Sequence, residues 1–102
     1  MYTIYMVFDW DPEKNEGLKV KRGISFEKII FHLSQGDLWK IADHPDHKRY
    51  PGQKIYFVKV DDYIYLVPYI KKEKKVFLKT IIPSRKATRD YKRELEKKNE
   101  IR

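Results

Sequence analysis

Cysteine is absent from this chain of 102 residues, so neither disulfides nor thiolate metal sites hold it together, and packing and backbone hydrogen bonding must do so. Glycine occurs four times, at Gly17, Gly23, Gly36 and Gly52, and none of these forms the glycine-rich loop that cradles nucleotide phosphates. None of Ser25, Ser34 and Ser84 sits in a nucleophile elbow, which sets aside the usual serine hydrolases. The three histidines are His32, His44 and His47. His44-Pro45-Asp46-His47 brings two imidazoles near Asp43 and Asp46, but no zinc or calcium spacing is present. No metal and no cofactor are therefore expected. Apolar runs are short as well, none approaching the roughly 20 residues that span a bilayer. The amino-terminal stretch ends at Asp9 and Asp11 and lacks the basic region and apolar length of a signal peptide. The expected location is the cytoplasm, without a membrane partner.

What is present is charge. Lys and Arg number 23 against 15 Asp and Glu, a net charge of +8. Residues 1–70 hold ten of each sign, whereas residues 71–102 hold 13 basic and 5 acidic ones. The whole excess lies in the last third, which points to an anionic macromolecule or an acidic protein as partner; a well-solvated tail is the plainer reading.

The length allows one core, hence one domain over residues 1–102. Residues 4–8 read as a short strand. Asp11 caps a helix with Pro12 in its first position, running to about Lys21 and stopped at Gly23. Ser25 caps a second helix whose stripe is Phe26, Ile29, Ile30 and Leu33, with Ile24 and Ile29 as a hydrophobic staple. Strands follow at 38–43, 54–60, 63–70 and 76–82, with a loop from His44 to Gln53, a tight turn at Asp61-Asp62 and another turn over Lys71 to Lys75. Pro68 within a strand removes a ladder donor and calls for an edge or a bulge. Ser84 caps a final helix from Arg85 to roughly Lys98, on which Ala87, Tyr91 and Leu95 form a narrow apolar line. The fold class expected is α+β, with N-terminal helices on an antiparallel sheet of three to five strands and a C-terminal helix.

Metal-free cleavage of RNA is the chemistry these residues allow. The 2′-hydroxyl is the nucleophile, and the protein supplies a base, cationic donors for the phosphate and a proton for the leaving oxygen. The candidates are Lys21 and Arg22 at the junction of the first two helices, Lys79 on the last strand, and Arg85 where that strand enters the final helix. Arginine in a first helical turn opposes the helix dipole unless an anion is bound there, although a salt bridge to an N-terminal carboxylate explains Arg85 equally well. Lys86, Arg89, Lys92 and Arg93 are the expected RNA-binding residues of that helix. Eight tyrosines and two tryptophans offer stacking platforms for bases or serve as ordinary strand and core residues, Trp10 in particular as a core anchor.

Two blocks carry a family resemblance. Phe8-Asp9-Trp10-Asp11, Lys14, Asn15, Leu18 and Lys21-Arg22-Gly23-Ile24-Ser25-Phe26-Glu27 resemble the N-terminal motif of the BrnT toxin family. Ile81-Ile82-Pro83-Ser84-Arg85-Lys86-Ala87-Thr88-Arg89 is similar to its passage from last strand to final helix. The resemblance covers roughly residues 8–91. It implies a RelE-like fold, the toxin role of a type II toxin-antitoxin pair, ribonuclease activity that lowers translation, and an antitoxin partner encoded alongside, BrnA-like or another small protein. It matches Lys21 and Arg85 to the family's conserved basic positions, and Tyr91 more loosely to a polar or aromatic position of the last helix. Arg22 stands where the family usually has histidine, and Pro83 replaces a small or polar residue. Since arginine exchanges no proton near neutral pH, a family histidine acting as acid or base would have to be replaced here by another group such as Tyr91 or a nearby carboxylate, or cleavage would be poor. Besides the endoribonuclease toxin, two readings remain open: a non-catalytic module binding nucleic acid or protein, and a purely structural domain.

Overall fold

The structure, a computed structural model, describes residues 6–100. Helix α1 (Pro12–Arg22) begins as the sequence predicts: the Asp11 carboxylate accepts from the Glu13 N–H at 2.9 Å, and Pro12 occupies the first turn. It ends at Gly23, whose φ of 64° is left-handed and whose N–H donates to the Lys19 carbonyl. Helix α2 (Phe26–Ser34) is capped by Ser25, whose Oγ accepts from the Lys28 N–H at 3.1 Å. Phe26 and Ile29 are fully buried, and burial of each contributes about 1.5–3 kcal/mol.

The two helices are joined by a side chain as well as by a turn. Asn15 is buried within α1; its Oδ1 accepts from the Phe26 N–H at 2.8 Å, and its Nδ2 donates to Glu27 at 2.7 Å. The amide thus satisfies a backbone donor at the start of α2 that no intrahelical carbonyl can reach. The Asn15 hydrogen bond, helped by Glu27's own backbone N–H, holds the Glu27 carboxyl below the usual carboxylate range.

Six strands make one mixed sheet, β1 (Val7–Asp9), β2 (Leu38–Asp43), β3 (Gln53–Val60), β4 (Tyr63–Lys72), β5 (Lys75–Leu78) and β6 (Ile82–Pro83). Their order is β1-β5-β4-β3-β2, with β6 also on β4. The α+β expectation is borne out, with six strands where three to five are expected. The sixth strand comes from the division of the predicted 76–82 strand into β5 and β6, and the sheet is mixed rather than antiparallel because β1 pairs parallel to β5 through Phe8 opposite Val76. The strand predicted over residues 4–8 is shifted toward Asp9, and its residues 4 and 5 lie outside the described residues. Asp61 and Asp62 have φ of 49° and 66°, the two left-handed positions of a tight hairpin turn, which aspartate tolerates better than most residues.

The strand predicted over 76–82 is broken in two. Three residues, Lys79 to Ile81, stand opposite only Val67 and Pro68 of β4, because the register shifts by one between β5 and β6. Pro68 is the physical cause. Its carbonyl accepts from the Lys79 N–H at 2.8 Å, so its nitrogen points to the same side and offers no donor there. The bulge reverses the inward parity: Val76 and Leu78 are buried before it and Ile81 after it, while Ile82 is exposed.

One face of the sheet carries Tyr56, Val58, Val60, Val67, Tyr69, Val76, Leu78 and Ile81, which form a single core with Leu18, Ile24, Phe26 and Ile29 of the helical layer. Within it Tyr56 and Tyr69 stack at 3.9 Å. Burial, then the neighbouring Tyr69, pushes the Tyr56 phenol up to about 12. Helix α3 (Arg85–Glu100) lies on the opposite face, where Ile64 and Ala87 are buried apart from that core. Of the predicted stripe, Ala87 is buried and Tyr91 packs edge-on to Trp39 at 5.2 Å, whereas Leu95 is 42% exposed. The helix therefore docks by its first half.

Candidate functional site

The start of α3 is fixed by a short network. The Ser84 Oγ accepts from the Ala87 N–H at 3.0 Å, the cap that the sequence predicts. Thr88, which is 7% exposed, donates from Oγ1 to the Ser84 carbonyl at 2.7 Å and accepts there from the Ile64 N–H at 2.9 Å. The Ser84 N–H in turn donates to the Ile64 carbonyl at 3.0 Å. The helix thus takes over the hydrogen bonding of β4 on the edge away from β3, just past the end of its pairing with β6, which sets the position of the side chains that follow.

From that anchor Arg85, Arg89, Lys92 and Arg93 line one open cavity of about 510 Å³ with Tyr63, and Glu96 at its far end. Spacings of four, three and four residues place Arg85, Arg89, Lys92 and Glu96 on one helical face. The first turn of α3 contains no acidic residue. The ion pairs among the described residues join Lys19 to Glu16, Lys28 to Asp61, Lys54 to Asp43 and Lys75 to Asp9, and the His32 ring contacts Asp37; none of these takes up Arg85, Arg89, Lys92 or Arg93. Four cations on one concave surface without a carboxylate in salt-bridge contact attract phosphate groups. The Tyr63 ring, edge-on to Tyr65 at 5.7 Å, adds an aromatic wall suited to a base.

Lys21 and Arg22 belong to a different cavity, of about 390 Å³, which they share with Asp11, Glu13, Lys14, Gly17, Leu18 and Thr80. The Arg22 Nη1 donates to the Ile81 carbonyl at 2.5 Å. This bond clamps the end of α1 to the bulge and orients the guanidinium, leaving its remaining donors for a ligand. No lining residue is common to the two cavities. Lys21 and Arg22 thus share no cavity with Arg85, and the contact that brings them near its segment is the Arg22 hydrogen bond to Ile81.

Two further candidates stand apart. Lys79 is exposed, with its ammonium 5.5 Å from the Phe77 ring, and lines neither cavity. Tyr91 lines a small cleft with Trp39, Lys59 and Asp37, where Trp39 is further held by its Nε1 donating to Glu94 at 2.7 Å. Lys86 is exposed and also outside both cavities. Sequence reasoning passes over Tyr63 and Glu96 as lining residues and Thr88 as the anchor; the three-turn spacing from Arg85 to Glu96 is the signal that finds one of them. Among the described residues, no three His, Asp or Glu side chains gather in a group that could hold a metal ion. No helix among them is long and apolar enough to cross a membrane.

Comparison of the chain with protein-family models, curated proteins and solved structures gives no match. The likeness to the BrnT family thus stands on the two sequence blocks alone.

Proposed function

We propose that this protein binds single-stranded RNA through the α3 cavity and acts in the cytoplasm as a metal-independent endoribonuclease, the toxin half of a toxin-antitoxin pair. The observation that carries the RNA part is the grouping of Arg85, Arg89, Lys92 and Arg93 around one cavity beside Tyr63. Backbone contacts from such cations supply affinity, and a ring wall supplies a sequence-tolerant base platform. The toxin assignment is supported by the two-block resemblance to BrnT.

In the cleavage step the 2′-hydroxyl oxygen attacks the adjacent phosphorus, a cyclic phosphate forms and the 5′-oxygen of the next nucleotide leaves. Arg85 and Arg89 take the role of stabilising the charge that gathers on the phosphate oxygens. Glu96 stands eleven residues beyond Arg85, about 16 Å along the helix, so it takes no part at that phosphate; water accepts the hydroxyl's proton and supplies the one the leaving 5′-oxygen takes up. An acidic antitoxin covering the same cations would block RNA by competition.

Incubating the purified protein with single-stranded RNA in excess chelator tests this reading. Wild type is expected to shorten the RNA, and Arg85→Ala to do so at least a hundredfold more slowly. Intact RNA after long incubation at high protein would contradict the enzyme reading.

A second reading, a non-catalytic RNA-binding module, is favoured by one specific observation. Lys21 and Arg22 line a cavity that does not include Arg85, so the cations are spread along a track rather than focused on one phosphate. Binding that is tight and strongly salt-dependent, with no cleavage, would select it.

A further inference from the structure

Helix α1 contains a glycine that its own packing does not require. Gly17 lies inside an eleven-residue helix, where glycine is among the least favourable residues and alanine the most favourable. A methyl group added at Gly17 meets no atom within 4 Å. Neither a close helix contact nor a left-handed backbone accounts for the missing side chain, in contrast to Gly23 with its φ of 64°.

What surrounds Gly17 is the cavity of about 390 Å³ at the end of α1. Lys14 precedes it by three residues and Lys21 follows by four, so the two ammonium groups flank the glycine on one helical face, a turn to either side. Arg22, held by the Ile81 carbonyl, and the Thr80 hydroxyl belong to the same lining, as do the Asp11 and Glu13 carboxylates, Asp11 being already engaged as the cap of α1. A bare phosphate suits the three cations but is repelled by Asp11 and Glu13. A ribonucleotide suits both charges, because its phosphate meets the cations while its 2′-hydroxyl or a base amino group donates to the Glu13 carboxylate.

We infer that Gly17 is a close-approach point at which the backbone of single-stranded RNA crosses α1, with Lys14 and Lys21 on its two sides, and that Glu13 there favours RNA over DNA. The inference rests on the RNA reading proposed above. It adds a second contact region, separate from the α3 cavity, and a residue that acts through the side chain it lacks.

The test compares wild type with Gly17→Ala, Gly17→Leu and Glu13→Gln, using fluorescein-labelled single-stranded RNA and its DNA counterpart. Gly17→Ala is expected to raise Tm by about 4–8 °C, since the helix gains and nothing clashes. Its RNA affinity is expected to fall about tenfold, and that of Gly17→Leu further. Glu13→Gln is expected to narrow the preference for RNA over DNA. Greater stability with weaker binding is an outcome that a merely structural glycine does not give. Gly17→Ala binding RNA as tightly as wild type, or melting lower than wild type, would overturn the inference while leaving the α3 reading intact. Loss of RNA binding in wild type itself would instead overturn the RNA reading, and this inference with it.

Discussion

The Arg22 guanidinium donates to the Ile81 carbonyl oxygen across 59 positions of sequence, tying the last turn of α1 to the bulge that separates β5 from β6. The two blocks that make up the family resemblance are thereby joined through one hydrogen bond. Arg22→Ala is expected to lower unfolding free energy by about 1 kcal/mol, the scale of a single partly solvated hydrogen bond. Arg22→Lys keeps the charge without the planar fork and is expected to recover only part of the loss. Urea denaturation of the two variants beside wild type measures this.

Thr88 offers a sharper case because its hydrogen bonds are less exposed. Thr88→Val leaves the Ile64 N–H, at a residue with no exposed surface, without its acceptor, and an expected cost of about 1–3 kcal/mol follows. Thr88→Ser keeps the hydroxyl and is expected to stay near wild type. Thermal melts of both variants distinguish loss of the bond from loss of the methyl group.

Much of the fold is legible in the chain because its boundaries are local. Asp11 with Pro12, Ser25 and Ser84 each cap a helix where the sequence places them, and the Asp61-Asp62 turn pairs β3 with β4 in the register their alternation demands. The parts not legible depend on residues far apart in sequence. Pro68 announces a defect but not that the defect falls on Lys79 to Ile81, since this depends on which strand lies beside it. The parallel pairing of β1 with β5 has no local sign. For the candidate site, spacing along α3 groups Arg85, Arg89 and Lys92, yet only the docking of Tyr91 on Trp39 shows which face of that helix turns away from the cavity.

Tyr91 is therefore expected to act through packing. Tyr91→Phe keeps the ring against Trp39 and should leave RNA cleavage within about twofold of wild type, while Tyr91→Ala should lower stability by about 2–4 kcal/mol, as for truncation of a partly buried aromatic side chain. Cleavage rates paired with melting temperatures check both. A Tyr91→Phe variant that folds normally but loses cleavage would restore the hydroxyl to the chemistry.

Two shifted groups act at opposite ends of the pH range, with Tyr69, likewise raised by burial, beside the second. Glu27 lies below its ordinary 4.5 in the folded state, through the Asn15 amide. The stability it gives is complete above that value and is lost as pH falls through the folded one. Tyr56 lies above its ordinary 10.0, at about 12, because burial disfavours the phenolate. Its contribution is complete below 10 and is lost as pH rises toward 12. Glu27→Gln is expected to flatten the acid limb of a stability-against-pH curve and Tyr56→Phe the alkaline limb, each leaving the other limb unchanged.

The central claim is that the cations of the α3 cavity hold RNA phosphates. The most direct measurement is the affinity of wild type and Arg89→Ala for a short single-stranded RNA across a series of salt concentrations. The account predicts a linear fall of log affinity with log salt in wild type, and a slope shallower by about 0.7 in the variant, the value of one lost single-strand phosphate contact. Equal slopes and equal affinities in the two proteins would contradict it.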